Sequence, residues 1–409
     1  MKIWIFTMYY HPEFGSAPIL MDELATFLAA RDYPVEVVTT IPRPPHHRPY
    51  RFKIRQREKR DKLVVSRYRT NFTRHHLGRL LAWSLYTLWS LLVLRRVKSG
   101  DVILLRLPPL LLGLISWPAK RKKVRVVLSV QDIHPDLSIE SGLIRNKKLI
   151  KFAQKMEKWI YDQADKIVVI SPGFGQNLKR KGVSSEKLII IPNWVNTDFL
   201  KPYPKNNQVA VNFDLDNKFV ILYAGTLTLS SYQSLEKILE IAASLRTDPQ
   251  LLFLFVGEGL KKFDLVKKAQ ELGLPNVRFI PFQPYELLPQ LLSSGDVLLV
   301  PLDQEKSELS VPSKLYNYMA VGRPILGLAE SNSEVAQILR KSEAGFTISP
   351  GEKDALLRVI EALRTSPSLG QEMGQKARKY VERYYSQKVV LPQYEEILIN
   401  KELIAFDPK

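Results

Sequence analysis

The stretch Lys2–Thr40, KIWIFTMYYHPEFGSAPILMDELATFLAARDYPVEVVTT, decides the architecture. KIWIFTMYY is a short apolar run with the composition of a buried strand. HPEFGSAP interrupts it with proline and glycine, which punctuate chains as loops. ILMDELATFLAARD then spaces its apolar residues as an amphipathic helix does, and YPVEVVTT is a second strand. Strand, loop, helix, strand is the opening of a doubly wound parallel sheet.

The pattern continues outward. DVILLRL, VRVVLSV, KIVVIS and KLIIIPN lack polar alternation, as strands do when both sheet faces are covered. It then restarts. KFVILYAGTL is a strand ending in a glycine turn, SLEKILEIAASLR is helical, and LLFLFVGEG, VRFIPF, DVLLVPL and RPILGLA are further strands. Two such arrays flank KPYPKNNQVAVNFDLDNK, which predicts two sheets with a linker near 201–217. The expected division is a first domain over 1–205 and a second over 206–385. A last helix, over 386–409, is free to return to the first.

The 409 residues exceed one ordinary core, in agreement with two domains. No cysteine is present, which excludes disulfides and thiolate metal sites and favours a cytoplasmic location. MKIWIFTMYYHP has no small-residue cleavage site, so no signal peptide is expected. Charge is unevenly placed: residues 1–200 hold 35 Lys and Arg against 16 Asp and Glu, whereas 201–409 hold 25 of each. The whole basic excess lies in the first half, which suggests an anionic surface or ligand there. Nucleic acid fits poorly, because the basic residues interleave with apolar runs and no recognition motif occurs. Within this half, Leu77–Gly100 carries about fifteen uncharged residues in a row, short of the ~20 that span a bilayer. Arg79, Arg95 and Arg96 with Trp83, Tyr86 and Trp89 suit an interfacial helix, and a helix covering the first sheet suits the same residues.

Ligands of open α/β sheets sit beyond the carboxyl ends of strands. Gly15 and Ser16 follow the first strand and open a helix, where backbone N–H groups can face an anion. Gly225 and Thr226, with Thr228, Ser230 and Ser231, follow the first strand of the second array. Gly257 and Glu258 end another, and a carboxylate there can accept from a ribose. Phe282 and Tyr285 end a third and can lie beside a base. VPSKLYNYMAVGRPI, Val311–Ile325, reads as a helix with Pro312 in its first turn, Ser310 as N-cap and Gly322 as its left-handed end. Lys314 in that first turn opposes the helix dipole, and a bound anion resolves the conflict. In the first array, Asp132, His134 and Asp136 cluster after VRVVLSV, where a carboxylate and an imidazole can handle protons at a reacting hydroxyl. Asp136 also suits a turn or cap after Pro135. With six histidines and no H-E-x-x-H, no metal site is expected. There is no G-x-G-x-x-G and no G-x-x-x-x-G-K-[ST], so dinucleotide oxidation and P-loop hydrolysis lack support.

Taken in order, YYHPEFGSAP, VQDIHPDLSIESGLI, KIVVISPGFGQNL, IIIPNWVNTDFLKP, ILYAGTL, FVGEG and VPSKLYNYMAVGRPI resemble a known family over nearly the whole chain. The sequence is similar to retaining glycosyltransferases of family four, and among them to the colanic-acid and capsule-type sugar transferases of bacteria. The resemblance implies the GT-B fold, two Rossmann-like doubly wound domains facing across a cleft. It implies sugar transfer from a nucleotide-diphosphate donor with retention, without metal or other cofactor. The donor would bind the second domain, and a saccharide or lipid-linked acceptor the first. By motif match, Gly15 would approach the donor phosphates, Asp132 would sit by the reacting centre, and Ser313 and Lys314 would hold the diphosphate. The sequence departs from the family twice. Of its usual E-x(7)-E, the second Glu falls on Asn317 and the first on Leu309, beside Glu308. No Arg and Lys follow the GTL turn, which leaves phosphate charge to Lys314, Lys306 or Arg323. The expected setting is peripheral, on the cytoplasmic face of an anionic plasma membrane. Two other readings fit: a GT-B epimerase or phosphorylase, or a degenerate nucleotide-sugar-binding partner of an active transferase.

Overall fold

The computed structural model describes residues 1–13, 15–43, 48–50, 52–70, 76–140, 144–227, 232–302 and 311–400. The chain divides into two compact units, Met1–Asn193 with Val390–Lys409, and Trp194–Val389.

The first unit holds eight strands: β1 (Ile3–Phe6), β2 (Val35–Thr40), β3 (Arg55–Arg60), β4 (Leu63–Tyr68), β5 (Val102–Leu107), β6 (Arg125–Val130), β7 (Lys166–Val169) and β8 (Leu188–Ile190). They lie in the order β3-β4-β2-β1-β5-β6-β7-β8. Every pair is parallel except β3 with β4. Strand β3, RQREKR, has no apolar residue and escapes a hydrophobic reading. It is a charged edge, which discourages pairing with another chain.

Part of the basic excess serves this sheet. Glu36 on β2 is fully buried and accepts from Lys2 Nζ at 2.6 Å, Ser66 Oγ at 2.8 Å and Arg96 Nη2 at 2.6 and 2.8 Å. Burial alone opposes its ionisation, but these hydrogen bonds and the charges of Lys2 and Arg96 win and hold the carboxyl below its usual range.

Two of the unit's helices bear on the sequence reading. His76–Leu94 answers both readings of its sequence in part. Ala82, Tyr86, Ser90 and Val93 are buried, and Tyr86 donates to the Val38 carbonyl at 2.8 Å. Leu80, Leu81, Leu88 and Leu92 are exposed on the other side. Among the described residues no helix is long and apolar enough to cross a membrane. Helix Gln387–Ile399 belongs to the first unit from Val390 onward. It buries Tyr394, Ile397 and Leu398, and Tyr394 Oη lies 3.3 Å from Ser129 Oγ on β6.

The second unit holds β9 (Phe219–Ala224), β10 (Leu251–Val256), β11 (Val277–Ile280), β12 (Val297–Pro301), β13 (Ile325–Leu328) and β14 (Gly345–Ile348). All are parallel, in the order β11-β10-β9-β12-β13-β14. Numbered from its first strand this is 3-2-1-4-5-6, the order of dinucleotide-binding folds, with its reversal between β9 and β12. Leu235, Ile238 and Leu239 of helix Tyr232–Ser244 and Leu356, Ile360 and Leu363 of helix Lys353–Thr365 pack with Phe253 and Phe255 in one core.

Candidate active site

In the second unit the motif residues converge at the carboxyl ends of adjacent strands. Gly225 follows β9, Gly257 follows β10 and Phe282 follows β11. Backbone bonds tie these turns together: Gly225 N donates to Val256 O at 2.9 Å, Gly257 N to Ile280 O at 2.9 Å, and Leu227 N to Glu258 O at 2.9 Å. The packing is too close for side chains. A Cβ on Gly257 would stand 2.0 Å from Gly225 O, at a φ of +151° that L-residues avoid. Phe282, half exposed, lies against the same point, 3.4 Å from that Cβ position.

Lys314 reaches this floor from the other side of the strand reversal. Its Nζ stands 3.9 Å from the Tyr223 ring centroid and 2.9 Å from where a Gly225 Cβ would be. The lysine is held by its own helix, Lys314–Ala320. One turn on, Tyr318 Oη accepts from Ala224 N at 2.9 Å and donates to Ala224 O at 3.0 Å, pinning the helix to the end of β9. Tyr223 donates to the Thr226 carbonyl at 2.8 Å and keeps its ring under the lysine. Neither tyrosine is singled out by the sequence reading, although a tyrosine four residues after Lys314 shares its helix face. The helix also begins later than expected. Ser313 is its N-cap, with helical backbone and no side-chain cap bond, while Gly322 takes the left-handed end at φ +65°.

Three residues that the sequence singles out already have partners in the fold. Arg323 is not free to carry phosphate charge: it donates to Ser293 O at 2.6 Å and is largely buried. Glu258 is paired with Lys262 at 2.7 Å on the surface, so a ribose would have to displace that partner. Tyr285 stacks on Phe199 with centroids 4.6 Å apart rather than standing open beside Phe282. Asn317 is half-buried on the Lys314 helix. Lys306, Glu308, Leu309 and Ser310, with Thr228, Ser230 and Ser231, lie outside the described residues. A cavity of ≈ 670 Å³ opens at the opposite, amino end of the strands, beside Phe219, Asp296 and Pro324. Its Arg378 is committed to the carbonyls of Thr197, Leu200 and Ala320.

In the first unit, Gly15 is the N-cap of helix Ser16–Ala30, at φ +125° with no side-chain cap, and Ser16 is exposed. Asp132 follows β6. Part of the residue meets solvent, but protein packed on its other sides strips water from the carboxyl and pushes it up to about 6, against the lowering charge of Arg106. Arg106, near the end of β5, is only 7% exposed, and its Nε is buried with no hydrogen-bond partner among the described residues. Burial pushes the guanidinium down and the Asp132 charge pulls it back. The strand reading of DVILLRL absorbs this arginine, and only its position at the carboxyl end signals a role. His134 has other partners. Its Nδ1 is 3.0 Å from Ser138 Oγ and its ring meets Trp83 edge-on at 6.5 Å. Burial first, then the Arg79 charge, hold the imidazole below its usual value, which favours its neutral form. Asp136 is structural: with Glu157 it clamps Lys181 at 2.8 and 2.7 Å. No group of three or more His, Asp or Glu among the described residues is placed to hold a metal ion.

The glycine contact is testable by itself. Gly257→Ala should destabilise the second unit by about 2–3 kcal/mol, because strain at positive φ and the clash with Gly225 O add. A thermal melt matching the parent protein would show that the turn can yield.

Two doubly wound sheets in one chain, with strand order reversing at Lys314, define the GT-B class of transferases. Residues 19–194 match the Glycosyl transferase 4-like domain, and residues 205–380 match Glycosyl transferases group 1. The chain is 30% identical to WcaI of Escherichia coli (strain K12), by name a putative colanic acid biosynthesis glycosyl transferase, over 96% of this chain and 98% of that one. It therefore belongs to the family-four GT-B glycosyltransferases. WbjE of Pseudomonas aeruginosa, a probable glycosyltransferase by name, is 27% identical over 79% of this chain and 82% of its own length. The fold is shared with HepE of Anabaena in complex with UDP-glucose, at TM-score 0.72 and 17% identity over 97% and 99% of the chains. It is likewise shared with sucrose-phosphate synthase of Thermosynechococcus elongatus, at TM-score 0.71 and 18% identity over 97% and 98%.

Proposed function

We propose that the protein transfers a sugar from a nucleoside-diphosphate donor to a saccharide acceptor carried on lipid, in the assembly of a surface polysaccharide. Transfer proceeds with retention, without a metal ion, at the cytoplasmic face of the plasma membrane. The observation that carries the reading is the Lys314 ammonium above the Gly225 turn, where the strand order reverses. A fixed cation there stabilises the charge that develops on a leaving diphosphate, and it does so without reorganising during reaction. The relatives support it in their own terms: HepE holds UDP-glucose, and WcaI is by name a putative transferase of colanic acid biosynthesis.

In this reading Ser313 and Lys314 hold the diphosphate, and Gly225, Thr226 and Gly257 let it approach backbone. Phe282 lies against the base. Asn317, able to donate and accept, replaces a glutamate at the ribose, with Glu258 and Glu308 as further acceptors. In the first unit Gly15 and Ser16 offer N–H groups to the donor, while Asp132 and His134 orient the acceptor hydroxyl. A neutral His134 can accept a proton, and Asp132 does so only when ionised.

The test is incubation with labelled nucleotide sugars and membrane extract. Transfer with released nucleoside diphosphate supports the reading. Phosphate-dependent cleavage points instead to a phosphorylase, and donor binding without turnover to a degenerate partner. A pH profile checks the Asp132 assignment. Activity should fall as pH drops through about 6, and Arg106→Gln should move that limb to higher pH, because the lowering charge is gone. A limb that stays in place removes Asp132 from the titrating step.

A further inference from the structure

Helix Lys147–Gln163 has one broad apolar side, and the fold covers only part of it. Glu157, Ile160 and Tyr161 are buried inward. A second stripe, Leu149, Phe152, Met156 and Trp159, recurs at i, i+3, i+7 and i+10, which is the spacing of one helix face. Core packing leaves it out: Leu149 is 51% exposed, Phe152 63% and Trp159 39%. Aromatics are seldom placed so in stripes without a partner. Beside the stripe stand Lys147, Lys148, Lys151, Lys155 and Lys158, all exposed. The helix has two acidic residues; Glu157 is buried against Lys181, and Asp162 alone faces outward.

The neighbouring helix Ser116–Arg121 packs against this one and extends the same chemistry. Its Trp117 is 42% exposed with Arg121 stacked at 4.0 Å, and Lys120 is exposed. By contrast, Arg96 and Lys2 of the basic first half are spent on Glu36.

We propose that helix Lys147–Gln163 is the surface by which the protein lies on an anionic bilayer. Exposed aromatics beside lysines match the boundary between acyl chains and anionic headgroups, with apolar groups inserted and ammonium groups at the phosphates. A protein partner would need an acidic rim around an apolar slot, and a second copy would bring lysines against lysines. The proposal deepens the reading of a lipid-linked acceptor, yet it concerns a surface remote in sequence from every donor residue. The leucine-bearing helix His76–Leu94, which the sequence favours for this role, lacks such a row of lysines.

The test is co-sedimentation of the full chain with phosphatidylcholine vesicles, with and without phosphatidylglycerol. Binding should need the anionic lipid and weaken with salt. Phe152→Ser with Trp159→Ser should lower the partition coefficient at least about tenfold, as should Lys151→Glu with Lys155→Glu. Leu81→Ser with Leu88→Ser should leave it near the parent value. Brominated lipid should quench parent fluorescence more than that of Trp159→Phe, a readout that needs no disruptive change. Thermal shifts by UDP should be equal in all variants, so failure of donor binding is read separately. Parent protein that ignores anionic vesicles, or an aromatic variant that binds them fully, overturns the proposal. So does a loss confined to self-association in sedimentation velocity.

Discussion

Lys314→Ala should weaken UDP binding and slow any transfer about a hundredfold, as losing one preorganised charge at a developing anion does. The effect should be large because, among the described residues, little else is placed to compensate. Arg323 is committed to a backbone carbonyl, and the GTL turn has no basic residue after it. Lys314→Arg is a sharper probe than it looks. The ammonium fits between the Tyr223 ring and the Gly225 turn, where a planar guanidinium needs more room. Calorimetry with UDP, alongside thermal melts to show folding, decides it. Unchanged affinity in Lys314→Ala would move the diphosphate elsewhere.

The second large effect is on stability. Glu36→Ala should cost the first unit about 3–5 kcal/mol, since removing one partner of a buried ionic cluster strands the rest. Lys2, Arg96 and Arg57 would then converge on one point with no counter-charge. For a unit of this size that is a fall of roughly 6–20 °C in the transition that unfolds it. Glu36→Gln should fall between, keeping shape and the Ser66 contact but not the charge. Because the carboxyl is held low, its contribution is full above the ordinary carboxylate range and is lost only as pH falls below it. Calorimetric scans of the three proteins at neutral pH would expose a cluster of no consequence by coincident transitions.

What the sequence shows and hides follows from what each pattern measures. Strands such as VILLRL and LLFLFV are legible because strands covered on both faces must be apolar throughout. Strand RQREKR is invisible to that logic: its place is set by pairing with β4, and its charges by being an edge. Glycine turns are visible as letters, but the approach of Gly257 to the Gly225 carbonyl is a three-dimensional fact. Arg106 reads as one polar residue in an apolar strand, and Glu36 as another in VEVVTT. Only burial separates a guanidinium with a dry, unpartnered Nε from the carboxylate held by Lys2, Arg96 and Ser66. Helix Lys147–Gln163 reads plainly as amphipathic, but which part of its apolar side the sheet covers is set by packing that the sequence does not show.

The return of helix Gln387–Ile399 to the first unit also orders events on the ribosome. The eight strands of that unit have all emerged by Ile190, but the segment that covers Ser129 comes about 200 residues later, roughly ten to forty seconds at ordinary elongation rates. For that interval the nascent first sheet stands with an uncovered apolar strip, while the second unit can fold whole. The earlier-made half is thus the later one to be finished, and it is the half a trigger-type chaperone would find open longest.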